Sequence, residues 1–435
     1  MHQTISVVGL GYVGLPLALT FIKKGFQVIG IDLDDRKLQS LGNRISYLPD
    51  VSDKEIRAAF EQGKFIVTND YTRVSEVDAI VICVPTPLNE EHNPDLSYLE
   101  QVGSSLSKQI KKGQLIVLES STYPGTTREV LKPLLEQGGL EVGKDIFLAY
   151  SPERIDPGNH RFQLDEIPKV VSGVTQQCAE QIQDLYSRVF QKVVPISSTE
   201  AAELTKLLEN SYRFINISFI NEFAITCDKM NINAWEVIDA ARTKPYGFTP
   251  FYPGPGIGGH CIPVDPLYLQ WRMKLYRLNS IFIDSSLSIN MGMPQYVLDQ
   301  IKDCLSVPTL KNRNILLVGI AYKRNIGDTR ESSAVEIMKL LMKEKANLSF
   351  HDPYAPEIHL DGKTLKSVEL DEENVKNSDC VILTTDHSQL PLGVILEHAS
   401  FVYDTRNMTE GLSGRARIVR LGAGEVSVQK GDNLG

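Results

Sequence analysis

The sequence predicts an α/β protein with two doubly wound domains of parallel sheet, joined by a long central helix and a helical middle domain. Three observations carry this prediction. An apolar strand near the N-terminus runs through a glycine turn into a helix, and short buried-strand segments then alternate with polar helical stretches. The same strand-and-turn pattern returns in degenerate form in the last third of the chain.

The first strand is Ile5-Ser6-Val7-Val8, followed by Gly9-Leu10-Gly11-Tyr12-Val13-Gly14 and a helix on which Leu15, Leu17, Ala18, Leu19 and Ile22 recur at helical spacing as far as Gly25. Gln27-Val28-Ile29-Gly30-Ile31 forms a second strand that ends at Asp32. Ala79–Val84 and Leu115–Leu118 supply further buried strands. From Thr199 to Met230 the chain contains neither Pro nor Gly and reads as one long helix with Leu204, Leu207, Leu208, Ile215, Phe219 and Phe223 among its apolar positions. A Pro/Gly-rich stretch from Pro245 to Pro266 precedes renewed helical patterning from Leu267 to Cys304, and Leu310-Lys311-Asn312-Arg313 reads as a linker.

Beyond the linker, Asn314–Tyr322 parallels Ile5–Tyr12, and Ser378–Thr384 parallels Val77–Cys83, but only the first copy keeps all three glycines. The division expected is residues 1–198, 199–309 and 310–435, with the stretch from about Gly422 to Gly435 a frayed tail.

Composition narrows the class. The 435 residues are 42% hydrophobic and 23% charged, as in a globular chain long enough for about three cores. Forty-five Lys and Arg against 54 Asp and Glu leave a net charge of −9, which argues against nucleic acid and anionic lipid as partners. The six cysteines show no C-x-x-C pair, so neither a metal site nor a disulfide framework is expected. The N-terminus enters a strand with no basic and apolar leader, and no apolar run reaches the ~18 residues of a membrane span. A cytoplasmic protein is the expectation.

The glycine turn has the context of a Rossmann-like dinucleotide site. Gly9 permits the tight turn, Gly11 the approach of a pyrophosphate, and Gly14 close helix packing, with the phosphates on the helix N-terminus. Asp32 would accept from a ribose diol and repel a 2′-phosphate, favouring NAD over NADP. The bland alternative is a turn that Asp32 merely caps. Cys83-Val84-Pro85-Thr86-Pro87 and Glu119-Ser120-Ser121-Thr122-Tyr123-Pro124-Gly125 end other strands at the edge where ligands bind in open sheets.

Cys261 follows two glycines and precedes Asp265 and Pro266, where a helix start would favour a thiolate. By residue type alone, a reactive thiol and an inert one both remain open. Lys206 and Asn210 are four apart and share a helix face, which reads as surface unless that face points inward.

These segments together resemble the UDP-glucose/GDP-mannose dehydrogenase family over essentially the whole chain. The pieces that match are Gly9–Pro16, Ser120–Gly125, Ser151-Pro152-Glu153-Arg154, Glu203–Asn210, Gly258-Gly259-His260-Cys261 and Gly327–Ser332. The resemblance implies oxidation of the C6 alcohol of a nucleotide sugar to a carboxylate, with two NAD+ and one water. It makes Cys261 the nucleophile that forms a thiohemiacetal and then a thioester. Lys206, or a water held by Asp265 and Thr122, would take the hydroxyl proton. Lys206 and Asn210 would hold the alkoxide, and Glu153 or Asp265 would position the hydrolytic water.

By the same resemblance NAD would meet Gly9, Gly11, Tyr12, Val13, Gly14, Asp32, Pro85, Thr86, Ser121, Thr122 and Arg330. The UDP-sugar would meet Glu153, Arg154, Lys206, Asn210, Lys323, Gly258 and the loop Phe251, Tyr252, Pro253, Gly254 and Gly256, whose backbone would supply local donors. The degenerate third domain would hold UDP, and the long helix would form a homodimer.

His260 before the cysteine, with Ser151–Gly158, looks like the branch that oxidises UDP-N-acetylhexosamines for surface polysaccharides, most like UDP-N-acetylglucosamine. UDP-glucose, UDP-ManNAc and UDP-GalNAc remain alternatives. Three rival classes remain to be weighed. A short-chain epimerase or dehydratase needs a Lys four residues after a Tyr, which none of the sixteen tyrosines has. A β-hydroxyacid dehydrogenase needs neither the thiol nor the third domain. The last rival is a non-enzymatic sensor of NAD and nucleotide sugar.

Overall fold

In the computed structural model of the chain, whose described residues are 3–48, 50–89, 91, 93–154, 162–259 and 261–425, the short apolar runs become strands and the polar stretches between them helices. The chain forms two compact units, Met1–Asn210 with Val264–Asn279, and Ser211–Pro263 with Ser280–Gly435.

The first unit holds strands β1 (Thr4–Val8), β2 (Gln27–Ile31), β3 (Phe65–Thr68), β4 (Ala79–Ile82), β5 (Leu115–Leu118), β6 (Phe147–Tyr150), β7 (Lys169–Gly173) and β8 (Val193–Pro195). They form one sheet in the order β3-β2-β1-β4-β5-β6-β7-β8, parallel except between β6 and β7. The order reverses between β1 and β4, and there the C-terminal strand ends open a crevice. Helices α1 (Gly14–Lys23), α2 (Asp35–Gly42), α3 (Asp53–Glu61), α4 (Ser97–Leu106), α5 (Lys132–Glu136) and α6 (Gln176–Ser187) connect the strands. β4 and β5 are buried at every position, because helices cover both faces of the sheet.

α7 (Thr199–Met230) is a single helix that begins in the first unit and continues in the second. After α8 (Ala234–Arg242), the expected helical stretch from Leu267 to Cys304 is two helices, α9 (Asp265–Leu275) and α10 (Ile281–Leu305). Arg277 takes a left-handed φ of 59°, and Ser280 caps α10 by accepting from the Ile283 N–H. The apolar period alone hides such a break, because both halves keep it.

In the second unit β9 (Asn314–Val318), β10 (Asn347–His351), β13 (Cys380–Leu383), β14 (Phe401–Asp404) and β15 (Arg417–Arg420) form a parallel sheet in the order β10-β9-β13-β14-β15. A small hairpin, β11 (Glu357–Leu360) with β12 (Lys363–Lys366), interrupts the chain before β13, and α11 (Ser333–Lys343), α12 (Glu372–Lys376) and α13 (Leu392–His398) complete the unit. The sheet again reverses order beside its first strand, now between β9 and β13.

Two expectations change here. Leu310 of the supposed linker is fully buried in the second core. The supposed tail is structured through residue 425: the Gly422 and Gly424 N–H groups donate to Asp228 Oδ2 and Oδ1 at 3.1 and 3.0 Å, and the Leu421 carbonyl accepts from Trp235. A buried carboxylate on α7 thus captures a segment whose own composition reads as loose. Residues 426–435 lie outside the described residues. Among the described residues no helix is long and apolar enough to cross a membrane.

Candidate active site

At the reversal in the first sheet the glycines behave as their spacing implies. Gly9 has φ +91°, and a Cβ there would lie 2.7 Å from the Cys83 carbonyl oxygen. A Cβ on Gly14 would lie 1.8 Å from the Gly9 oxygen, whereas one on Gly11 would meet nothing within 4 Å. The backbone therefore closes tightly at two glycines and faces open space at the third. Helix α1 starts here with no side-chain cap and no acidic residue in its first turn, so its positive end is not spent on a protein carboxylate. Val13 is half-buried and Tyr12 exposed.

Asp32, nearly buried, accepts from the Leu10 N–H at 2.8 Å, the Lys37 ammonium at 2.9 Å and the Asp34 N–H at 2.9 Å. A carboxylate has about four acceptor positions, so room for a ribose hydroxyl remains. The open glycine cradle, the uncapped helix start and the acid at the end of β2 fit a dinucleotide.

The neighbouring strand ends are knotted together. Thr86 donates from its hydroxyl to the Ser121 carbonyl at 2.5 Å, its own carbonyl accepts from Tyr268, and Pro85 stands exposed beside it. Thr122 is buried, with its hydroxyl 2.5 Å from that of Thr126. The turn after Pro124 is held by Glu203 of α7, whose carboxylate accepts from the Gly125 N–H at 2.5 Å, the Thr127 N–H at 2.8 Å and the Thr127 hydroxyl at 2.6 Å. Burial pushes the Glu203 carboxyl up to about 7, although these hydrogen bonds pull the other way.

The inward alternative holds for Lys206 and Asn210, because both side chains are buried in the first unit. Lys206 Nζ donates to the Glu153 carbonyl at 2.7 Å, and Asn210 Nδ2 to Asp265 Oδ2 at 2.6 Å. Burial pushes the Asp265 carboxyl up to about 6, with the Lys206 charge and the Asn210 hydrogen bond opposing it. The structure thus gathers Glu153, Lys206, Asn210 and Asp265, four residues from three separate stretches of sequence, into one buried cluster.

Arg154 turns instead to Glu209 at 2.7 Å and to the Pro168 carbonyl at 2.8 Å. Sequence reasoning quoted Glu119 and Glu203 only as motif members without a role and missed Lys169, and all three carry charge or hydrogen bonds inside this region. The only local signal was charged residues set within otherwise apolar runs.

In the second unit the degenerate copy repeats the turn. Gly319 has φ +86°, with a hypothetical Cβ 2.6 Å from Thr385 Cβ. Asp352 follows β10 as Asp32 follows β2, but it is fully engaged. Its Oδ2 accepts from the Ile320 and Ala321 N–H groups at 2.7 and 3.1 Å, and its Oδ1 from Tyr354 and Ala355 at 2.8 and 3.0 Å. His387 Nε2 sits 3.1 Å from Asp352 Oδ2, and its Nδ1 accepts from the Asn325 N–H, so the proton is on Nε2. Where the first copy leaves acceptor room on Asp32, the second has filled the matching position with an imidazole.

The Pro/Gly loop packs on this unit. Phe251 meets Tyr212 edge-on at 5.9 Å, and Tyr252 stacks on Trp235 and donates to Asp239 at 2.9 Å. Pro253 is buried, and the Gly256 carbonyl lies 3.4 Å from the Ser333 hydroxyl. The expectation that the loop backbone donates to a diphosphate is corrected at one loop position, Gly254, and Ile257 just past the loop is engaged in the same way. Gly254 N–H already donates to Asn221 Oδ1 at 2.9 Å, and Ile257 N–H to Asn290 Oδ1 at 2.6 Å, because buried amides need partners inside the fold.

A Cβ on Gly254 would lie 2.4 Å from the guanidinium of Arg406, a cation that the sequence reading did not single out. Gly258 is half-buried, and a Cβ there would meet the Glu331 carbonyl at 2.6 Å. Lys323 is half-buried, Arg330 grips Asp328 through two nitrogens at 2.9 and 2.6 Å, and Cys261 is exposed. His260 and residues 155–158 lie outside the described residues. Among the described residues no cluster of His, Cys, Asp and Glu could hold a metal ion.

Comparison with known proteins assigns the chain. Residues 3–190 match the NAD binding domain of the UDP-glucose/GDP-mannose dehydrogenase family, residues 200–291 its central domain, and residues 316–411 its UDP binding domain. The chain belongs to the UDP-glucose/GDP-mannose dehydrogenase family. It is 36% identical over 358 residues to a UDP-N-acetyl-D-glucosamine 6-dehydrogenase of Pseudomonas aeruginosa, covering 80% of this chain and 82% of that one. An NDP-N-acetyl-D-galactosaminuronic acid dehydrogenase of Ralstonia solanacearum is 33% identical over 417 residues, 93% of this chain and 96% of the other.

The solved structure of a UDP-D-ManNAc dehydrogenase from Pyrococcus horikoshii matches with a TM-score of 0.87 and 28% identity, covering 97% of this chain and 99% of that one. As a UDP-glucose/GDP-mannose dehydrogenase, the protein is an NAD-dependent enzyme with a nucleotide-sugar substrate. The epimerase, hydroxyacid dehydrogenase and sensor readings fall away. The glycine turn and Asp32 lie in its NAD binding domain, while the degenerate copy lies in its UDP binding domain.

Proposed function

We propose that this dehydrogenase oxidises the C6 hydroxyl of a UDP-N-acetylhexosamine to the carboxylate, with UDP-GlcNAc as substrate. The buried gathering of Lys206, Asn210, Asp265 and the Glu153 carbonyl supports the chemistry most directly, since an ammonium, an amide and a carboxyl side by side suit proton transfer and oxyanion stabilisation. The amino-sugar relatives support a UDP-N-acetylhexosamine as substrate.

NAD held at Gly9, Gly11, Gly14 and Asp32 supplies the acceptor for the hydride that leaves C6 in each of two oxidations. A water held by Asp265 and Thr122, or Lys206 as its neutral amine, takes the proton of the C6 hydroxyl. Cys261 Sγ adds to the aldehyde carbon, and the resulting alkoxide is stabilised by Lys206 and Asn210. After the second oxidation the sugar is held as a thioester on Cys261, which water positioned by Glu153 or Asp265 hydrolyses. Capture on sulfur keeps the reactive aldehyde from escaping.

The enzyme works as a cytoplasmic homodimer, its product an acidic sugar donor for surface polysaccharide. The exposed apolar residues Leu208, Tyr212 and Phe219 on α7, at 65%, 50% and 58% exposure, support pairing through that helix. Turnover with UDP-GlcNAc, UDP-GalNAc, UDP-ManNAc and UDP-glucose tests the substrate, and a preference for UDP-glucose would overturn it. Cys261→Ser should bind UDP-sugar normally and form no acid, and retained turnover in that variant would remove the thiol from the mechanism.

A further inference from the structure

The segment Ser151–Arg154 is fastened to the start of β7 at three successive points. Ser151 donates from its hydroxyl to the Val170 carbonyl at 2.8 Å, the Glu153 carboxylate accepts from Lys169 Nζ at 3.2 Å, and Arg154 donates to the Pro168 carbonyl at 2.8 Å. Lys206 adds a fourth tie, on the Glu153 carbonyl. The main chain is therefore held by neutral groups or by Arg154 and Lys206, while Lys169 grips the Glu153 carboxylate itself.

That lysine is itself buried, with 3% side-chain exposure, and its ammonium also binds Glu119 Oε2 at 2.7 Å. Tyr186 donates to the other Glu119 oxygen, and the Phe190 ring lies 5.4 Å from the ammonium. Burial works against the Lys169 charge, and the two carboxylates more than offset it, so its affinity for the proton is raised.

We infer that Lys169 is a positioning residue for thioester hydrolysis: its buried ammonium keeps the Glu153 carboxylate ionised and aimed. Without Lys169, Glu119 and Glu153 would lose the buried ammonium they share, and protonation would relieve the two carboxyls. Glu153 would then lose its capacity as a base. In the step affected, water oxygen bonds to C6 and one water proton passes to Glu153. The C6–S bond breaks with its electron pair going to Sγ, Glu153 returns the proton to sulfur, and the new acid releases the other proton to solvent. This inference rests on the role given to Glu153 above.

The test is rapid mixing of Lys169→Met, with Lys169→Gln as a second neutral replacement, against UDP-GlcNAc and NAD+, followed by mass analysis of the Cys261 peptide. Both oxidations precede hydrolysis. The expected result is a burst of two NADH per site, a steady state slowed at least about tenfold, and a sugar thioester trapped on Cys261. Lys169→Arg should remove the burst and the adduct. A neutral variant that slows with neither burst nor adduct, or turns over as wild type, would overturn the inference. Glu153→Gln separates the two claims, because absence of an adduct there refutes the role of Glu153 itself, while an adduct there but not in Lys169→Met refutes only Lys169.

Discussion

Glu203 offers a quantitative check on the buried architecture. Its carboxyl is raised from 4.5 to about 7, chiefly by burial. Between those values the native chain keeps a proton that the unfolded chain has already released, so stability falls as pH rises through the window, and the full cost is present above about pH 7. The shift of about 2.5 units corresponds to roughly 3 kcal/mol at ~1.4 kcal/mol per unit.

Glu203→Gln removes the titration while keeping a carbonyl acceptor toward Gly125 and Thr127. Near pH 5 the native side chain is neutral and the two proteins should melt together. Near pH 8.5 the variant should be the more stable by up to ~3 kcal/mol, or roughly 6–10 °C in Tm for a unit of about 200 residues. Thermal melts of both proteins across this range read the difference directly, and the other buried acids cancel because both proteins contain them. Melting curves that stay parallel from pH 5 to pH 8.5 would refute the reasoning.

Other predictions follow from the glycine turn and the second unit. Gly14→Ala forces a Cβ against the Gly9 oxygen and should weaken NAD binding at least about tenfold by titration calorimetry, whereas Gly42→Ala, where a Cβ meets nothing, should leave it unchanged. Asp352→Ala strands three buried N–H groups, the part-buried Tyr354 N–H and the His387 imidazole, and should destabilise the second unit by about 3–5 kcal/mol in urea unfolding while NAD affinity is retained. His387 holds the Asp352 carboxyl below its ordinary value of 3.8 against the effect of burial. The contribution of that carboxylate is therefore present above about pH 4 and lost on acidification below it.

The strands and the long helix were legible because each is declared by its own residues. Ile5–Val8 and Leu115–Leu118 are apolar runs too short for helices, and Thr199–Met230 lacks any breaker. The break between α9 and α10 was not legible, since Arg277 adopts its left-handed turn without a glycine to announce it. Gly422 and Gly424 read as loose because the Asp228 that captures them is remote in sequence. For the site the same division holds. Gly9, Gly14 and Asp32 sit in a local pattern, whereas Lys206 and Asn210 resolve from surface to interior only once Glu153 and Asp265 arrive from distant segments. Lys169 and Glu203 gain meaning solely from partners that folding supplies. Asp352 could have been found, since it ends the second strand of the degenerate copy as Asp32 ends that of the first.

The central claim is a four-electron oxidation in one enzyme. Counting NADH formed against UDP-sugar consumed, with the sugar limiting and the product identified by mass, tests it most directly. The account predicts two NADH for each UDP-sugar and a product bearing a carboxylate at C6. One NADH per sugar, with a free aldehyde as product, would contradict it.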